Sequence, residues 1–211
     1  MAFQSVWYFT DIPKEVVDIM ERDFCENFED RMTDSKVQGD LLNLEKRKSK
    51  NAWVSTNHWA SGFIWHYIQR ANRENFLYDL KCIDGESMQY TKYNVGEFYT
   101  WHSDAGIVEY YRPNTNTSGS IDSQSEIYQK NFVNENIELI RKLSFVLQLS
   151  DPDDYEGGNL QLLDEEGRSY IAPRKKGSII LFDSRTKHRV LKVTKGVRKS
   201  LVGWVVGPRW K

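Results

Sequence analysis

Apolar residues recur at helical spacing in the first third of the chain and alternate with polar ones in much of the rest. Val16, Val17, Met20 and Phe24 share one helical face. The spacing predicts an amphipathic helix over residues 13–28, entered through Asp11-Ile12-Pro13 with proline in the first turn. Phe63, Ile64, Tyr67, Ile68 and Ala71 predict a second helix, with Ser61 as N-cap and an end near Asn75. Val6 to Phe9 reads as a strand ahead of the first helix. Between the helices, Arg47-Lys48-Ser49-Lys50 reads as a solvated charged edge leading into a strand at Ala52-Trp53-Val54.

From Met88 onward the period changes from helical to alternating. Met88 to Tyr93 is a strand, Asn94-Val95-Gly96 a turn, and Glu97 to His102 the next strand. On that strand Phe98, Thr100 and His102 are expected on one face and Glu97, Tyr99 and Trp101 on the other. Asn114 to Ser125 is a long run of Asn, Thr, Ser and Gly. It reads equally as a lid over a site, within residues 105–136, or as a surface insertion, with a short helix after it in 126–140. Then strands come quickly. Lys142 to Ser150 alternates, and Asn159 to Leu163 and Arg168 to Ile171 flank a hairpin turn. Ser178 to Phe182 is a buried strand, and His188 to Thr194 and Lys199 to Val206 are separated by Lys195-Gly196. Helices first and short strands afterwards predict an α+β fold: a double-stranded β-helix (jelly-roll) core with the N-terminal helices packed on one face. No repeat or linker interrupts it. Residues 1–211 are expected to form one domain, with 1–87 a helical support region and 88–207 the core.

Composition narrows the partners. A formal net charge of -1 gives no global electrostatic case for nucleic acid or an anionic membrane. No apolar run reaches membrane-spanning length, and the first five residues lack a signal-peptide pattern, so the cytoplasm is the expected location. Two cysteines, Cys25 and Cys82, make no disulfide scaffold and suit a reducing compartment.

The chemistry centres on Tyr99-Thr100-Trp101-His102-Ser103-Asp104. His102 and Asp104 are two apart, so a strand entering a turn aims both at one point. His188, from a distant strand, would complete a set of two histidines and one carboxylate, the ligand type of non-haem Fe(II) oxygenases. Such a set leaves open positions on the metal for a 2-oxo acid and dioxygen. The far carboxylate of the acid needs a buried cation, which Arg198 would supply. Arg198 follows His188 across the Lys195-Gly196 turn, so the two are expected on adjacent antiparallel strands. A His-x-Asp alone is common by chance; its conjunction with a histidine after a buried strand and an arginine on the next carries the reading. His58 and His66 have no partner at metal spacing and read as structural.

Tyr93 to Asp104 resembles the iron-binding segment of prolyl 4-hydroxylase-like 2-oxoglutarate/Fe(II) dioxygenases. Tyr155-Glu156-Gly157-Gly158-Asn159-Leu160 resembles their glycine-pair turn. Lys176 to Phe182 with His188 resembles the strand delivering the distal histidine, and Gly196 to Trp204 their oxoglutarate-binding strand. The resemblance covers residues 88–207. It implies iron ligation by His102, Asp104 and His188 and oxoglutarate binding by Arg198, with Tyr93, Trp204, Gln148 and Leu160 around the cofactor. It also implies Fe(II), 2-oxoglutarate and O2, with ascorbate as an accessory reductant. The implied reaction couples decarboxylation of 2-oxoglutarate to hydroxylation of a peptidyl or protein proline. A free amino acid or other small molecule, and a non-catalytic jelly-roll binding or sensor module, stay open. Asp104 argues against related halogenases, which lack that carboxylate. Trp204, where nucleic-acid demethylases carry an arginine, argues against a nucleic-acid substrate. Tyr110, Tyr111 and Arg112 are candidate substrate contacts.

Overall fold

The computed structural model describes residues 4–37, 42–105, 108–110, 138–164 and 166–210. The chain enters through strand β1 (Val6–Phe9) and helix α1 (Lys14–Phe28), for which Pro13 is the N-cap. Strands β2 (Thr33–Asp34), β3 (Arg47–Lys48) and β4 (Lys50–Ser55) follow, then helix α2 (Trp59–Ala71). A π-helical turn (Asn72–Phe76) extends α2, and apart from short 3-10 turns the other described elements are strands: β5 (Cys82–Ile83), β6 (Ser87–Tyr93), β7 (Phe98–His102), β8 (Val108–Tyr110) and β9 (Glu138–Gln148). After these come β10 (Tyr155–Gly157), β11 (Leu160–Leu163), β12 (Ser169–Ile171), β13 (Ile179–Asp183), β14 (His188–Val190), β15 (Val193–Gly196) and β16 (Arg198–Pro208).

The strands form two principal antiparallel sheets. The larger runs β1-β13-β9-β16-β6-β4-β2, with β5 on β16 and β8 on β9; the smaller runs β12-β11-β14-β7-β3. A separate ribbon pairs β10 with β15. This is the expected α+β jelly-roll, and strict alternation builds it. Along β9, β13 and β16, Phe145, Leu147, Ile179, Leu181, Leu201 and Val205 face outward. They pack against Val17, Met20 and Phe24 of α1 and Ile64 and Ile68 of α2. The intervening Val146, Ile180 and Phe182 face inward and meet Leu160, Leu162 and Val190 of the smaller sheet. The N-terminal region contributes more than helices, since β1, β2 and β4 extend the larger sheet and β3 the smaller.

Gly203 shows how close the helix-side packing is. A Cβ there would stand 2.5 Å from the ring of the fully buried Phe145. Gly203→Ala is expected to lower unfolding stability by about 1–3 kcal/mol through overpacking. A chemical-denaturation midpoint equal to wild type would refute this.

Several expectations need correction. Helix α2 is capped by His58, whose Nδ1 accepts from the Ala60 amide at 3.3 Å; Ser61 lies inside the helix and donates to the Thr56 carbonyl. An imidazole nitrogen with a free lone pair caps as a hydroxyl would. The other ring nitrogen of His58 lies 3.0 Å from Asp23 Oδ2, so this histidine does have a carboxylate partner, though in a structural role. Arg47 is not on a solvated edge: it is 6% exposed. His188 to Thr194 is not one strand but two, β14 in the smaller sheet and β15 in the ribbon. Glu138 to Ile140 open strand β9. The rest of the 126–140 stretch expected to include a short helix, and the Asn114–Ser125 run, lie outside the described residues. Among the described residues no helix is long and apolar enough to cross a membrane.

Candidate metal centre and co-substrate cavity

β7 pairs antiparallel with β14, and the register sets His102 directly opposite His188. Asp104 lies just past the end of β7, where its amide and that of Ala105 both donate to the Ser184 carbonyl at 2.9 Å. The ligand atoms of His102, Asp104 and His188 therefore lie within 4.8 Å of one another. His102 Nε2 is 3.7 Å from one Asp104 oxygen and His188 Nε2 is 3.5 Å from the other.

Neighbouring groups prepare each member. The His102 and His188 Nδ1 atoms contact the carbonyls of Thr100 at 2.8 Å and Thr186 at 3.0 Å. A carbonyl only accepts, so each Nδ1 carries the proton and each Nε2 keeps its lone pair toward the centre. Burial, and then the charge of His188, push the His102 imidazolium down to about 3, so the ring is neutral at physiological pH. Burial would raise the Asp104 carboxyl, but His188, His102 and the Ser144 hydroxyl outweigh it and hold it below its ordinary value. Ser144 donates to Asp104 Oδ2 at 2.6 Å. Two imidazoles, which ligate through a ring nitrogen lone pair, and one carboxylate suit a mid-row divalent transition metal with open positions.

The three residues line a cavity of about 710 Å³ between the sheets. Arg198 lines it too, 1% exposed. Its Nη2 donates to Gln148 Oε1 at 3.0 Å and its Nη1 to Ser200 Oγ at 3.4 Å, while Nε has no partner. No carboxylate among the described residues pairs with it. A guanidinium cannot shed its proton, so this buried cation calls for an anion that the described residues do not supply. A dicarboxylic 2-oxo acid fits that requirement.

The structure brings most of the expected residues together. Tyr93 is paired with Arg198 in register, its ring 5.5 Å from the guanidinium carbon, and Tyr93, Leu160 and Trp204 line the cavity. Gln148 touches the site through Arg198. His188 and Arg198 are not on adjacent strands. They sit on opposite sheets and face each other across the cavity, because β15 intervenes. Tyr99 does not turn away from His102: the two rings stack at 3.5 Å. His102 pairs with His188 but Tyr99 with Val190, so β7 holds one extra residue there. The bulge moves Tyr99 to the His102 face. Tyr110 ends β8, its side chain outside the described residues, as are Tyr111 and Arg112. Sequence reasoning missed Ser144, Ser200 and Arg47; for the serines, alternation on β9 and β16 was the available signal.

Known proteins match in the same place. The sequence profile of the 2OG-Fe(II) oxygenase superfamily matches residues 88–206, more than half of the chain. A PKHD-type hydroxylase of Parvibaculum lavamentivorans is 44% identical over 63 residues, 30% of this chain and 28% of the relative. One of Prochlorococcus marinus is 47% identical over 64 residues, with the same shares. The matched segment thus spans little more than a quarter of these relatives' length. The crystal structure of a Pseudomonas putida prolyl-4-hydroxylase aligns over 97% of this chain and 93% of its own, with TM-score 0.65 and 18% identity. A Trichoplax adhaerens prolyl hydroxylase, in complex with a hypoxia inducible factor peptide fragment, aligns over 95% and 83%, with TM-score 0.64 and 15% identity. At these identities the structural likeness speaks to the fold. The chain belongs to the 2OG-Fe(II) oxygenase superfamily, which implies Fe(II), 2-oxoglutarate and dioxygen as its working set.

Proposed function

We propose that this chain is a hydroxylase in which His102, Asp104 and His188 hold Fe(II), Arg198 holds the far carboxylate of 2-oxoglutarate, and the substrate is a prolyl residue of a peptide or protein. The observation that carries the reading is the convergence of the three ligand atoms and an anion-seeking, buried Arg198 in one cavity. When bound, Fe(II) and 2-oxoglutarate supply the oxidation: the acid is decarboxylated to succinate and CO2, and one atom of dioxygen becomes the substrate hydroxyl. The protein's part is positional. Ser144 fixes the Asp104 carboxylate, the two backbone carbonyls fix the imidazoles, and Arg198 with Gln148 and Ser200 orients the acid. Tyr93, Leu160, Val146 and Phe182 give the cavity an apolar wall.

The prolyl substrate is supported by the likeness to the two prolyl hydroxylase structures and by two tryptophans. Trp53 and Trp101 line the cavity yet are 53% and 37% exposed, so they stand at its mouth, where a peptide would pass. Residues 1–211 would act as one domain, and Cys25 and Cys82, which form no disulfide, suit the cytoplasm. The test is incubation with Fe(II), 2-oxoglutarate and a proline-containing peptide library. We expect succinate and a peptide product heavier by one oxygen. Succinate with free amino acids but no oxidised peptide would move the substrate to a small molecule. No succinate with any partner would leave a binding module.

A further inference from the structure

We propose that Arg47 forms a second carboxylate cradle in the same cavity, and that the primary substrate is an anion that docks there. This deepens the preceding reading, and rests on its assignment of Arg198 to 2-oxoglutarate.

Arg47 lines the cavity and is 6% exposed. Its Nε donates to Ser49 Oγ at 3.0 Å, Nη1 to the Lys36 carbonyl at 3.2 Å and Nη2 to Gln89 Oε1 at 3.2 Å. Its guanidinium lies 4.9 Å above the Tyr99 ring. Among the described residues no carboxylate pairs with it. The parts repeat those around Arg198. Each arginine has a serine two residues on, a glutamine from another strand and a tyrosine ring against the guanidinium. Neutral acceptors and a ring face do not compensate a buried permanent charge. At Arg198 the family's co-substrate supplies the missing anion; at Arg47 the fold makes the same provision with no co-substrate left to use it.

The fork says which anion. A guanidinium has five N–H groups, and the three contacts account for three of them, leaving one on each Nη. Two such hydrogens match the two oxygens of a carboxylate. Lys46 also lines the cavity and adds positive field, while Asp34 opposes it. Position favours substrate over a second oxo acid. The Tyr99 ring on which Arg47 rests is itself stacked on His102, so a carboxylate held by Arg47 sits one aromatic ring away from the metal centre. The carboxylate belongs either to a free amino acid or to an acidic side chain or C-terminus of a peptide.

Binding tests this without requiring turnover or proline. The full chain is loaded with Mn(II) and saturated with N-oxalylglycine to fill the Arg198 site. It is then titrated with acid and amide pairs: free amino acids against their amides, and tetrapeptides carrying Asp or Glu against Asn or Gln. Tryptophan fluorescence reads occupancy through Trp53, Trp101 and Trp204. In the wild type we expect at least one pair to favour the acid by about tenfold or more, as loss of a charge-assisted pair would predict. Which pair does so separates the amino acid from the peptide. In Arg47→Gln the ratio should fall to near one with amide affinity kept. Should that variant not fold, Arg47→Lys, which keeps the charge but not the fork, should lower the ratio partway. The proposal is overturned if no acid is preferred, if the preference survives Arg47→Gln, or if acids and amides weaken equally, the sign of a purely positioning role through Tyr99. An acid preference seen only in non-prolyl probes would support the cradle while rejecting the prolyl substrate.

Discussion

Asp104→Ala is expected to abolish metal-dependent succinate formation and to leave the fold standing. The variant removes the only anionic member of the set and leaves the two imidazoles. The fold does not depend on that carboxylate. Its hydrogen-bonding side-chain partner, Ser144, has the Ser184 hydroxyl 3.1 Å away as a second partner, and the Asp104 contact to the Ser184 carbonyl is made by backbone. Loss of a residue that merely orients a ligand costs about 10–100-fold in metal affinity or activity. Loss of a ligand should exceed that, so a fall of at least about 100-fold in succinate output is expected. Thermal stabilisation by added Fe(II) under anaerobic conditions should vanish with it. His58→Ala is the control, because it removes a histidine that also touches a carboxylate but stands away from the cavity. It should cost about 0.5–2 kcal/mol of stability as a lost helix cap, with metal response intact. Wild-type succinate output from Asp104→Ala would reject the assigned centre.

The second large effect is at Arg198. Arg198→Met is expected to weaken 2-oxoglutarate by about 10- to 150-fold, the equivalent of about 1.5–3 kcal/mol for hydrogen bonds to a charged group. The stability of the ligand-free protein should change little. Removing a buried, unpaired guanidinium relieves a desolvation cost of several kcal/mol. Leaving the Gln148 carbonyl without its donor costs about 1–3 kcal/mol in the other direction. The ligand response is the cleaner readout. At 2-oxoglutarate one hundred times its wild-type Kd, the wild type gains about 2.7 kcal/mol; a variant weakened 100-fold gains about 0.4 kcal/mol at the same concentration. A full ligand-induced shift in Arg198→Met would place the co-substrate elsewhere, with Arg47 the next candidate.

How far the sequence could be read followed the range of each interaction. The helical stripe of Val17, Met20 and Phe24 and the alternation from Lys142 to Ser150 report burial of one face, a local property. They led to the right layers. The His-x-Asp spacing likewise anticipated a shared aim. Failures came where a non-local contact overrode the local pattern. One extra residue in β7 carried Tyr99 to the metal face, against its alternation. Arg47, within a run of basic residues, looked like any solvated edge until β3 folded against β7 and Gln89 arrived from β6. Ser61 had the right chemistry for a cap, but His58 was held in place by Asp23 from the other helix.

By itself the sequence determined the fold class and singled out the three ligand candidates and the arginine that the fold brings into one cavity, because periodicity and the order of motifs are written along the chain. Only the tertiary structure decided that His188 and Arg198 face each other from opposite sheets, that Ser144 and Gln148 hold them, and that a second arginine lies buried beside them. The physical reason is that burial of charge depends on which strands meet, and strand pairing joins residues whose separation in sequence carries no signal of their contact.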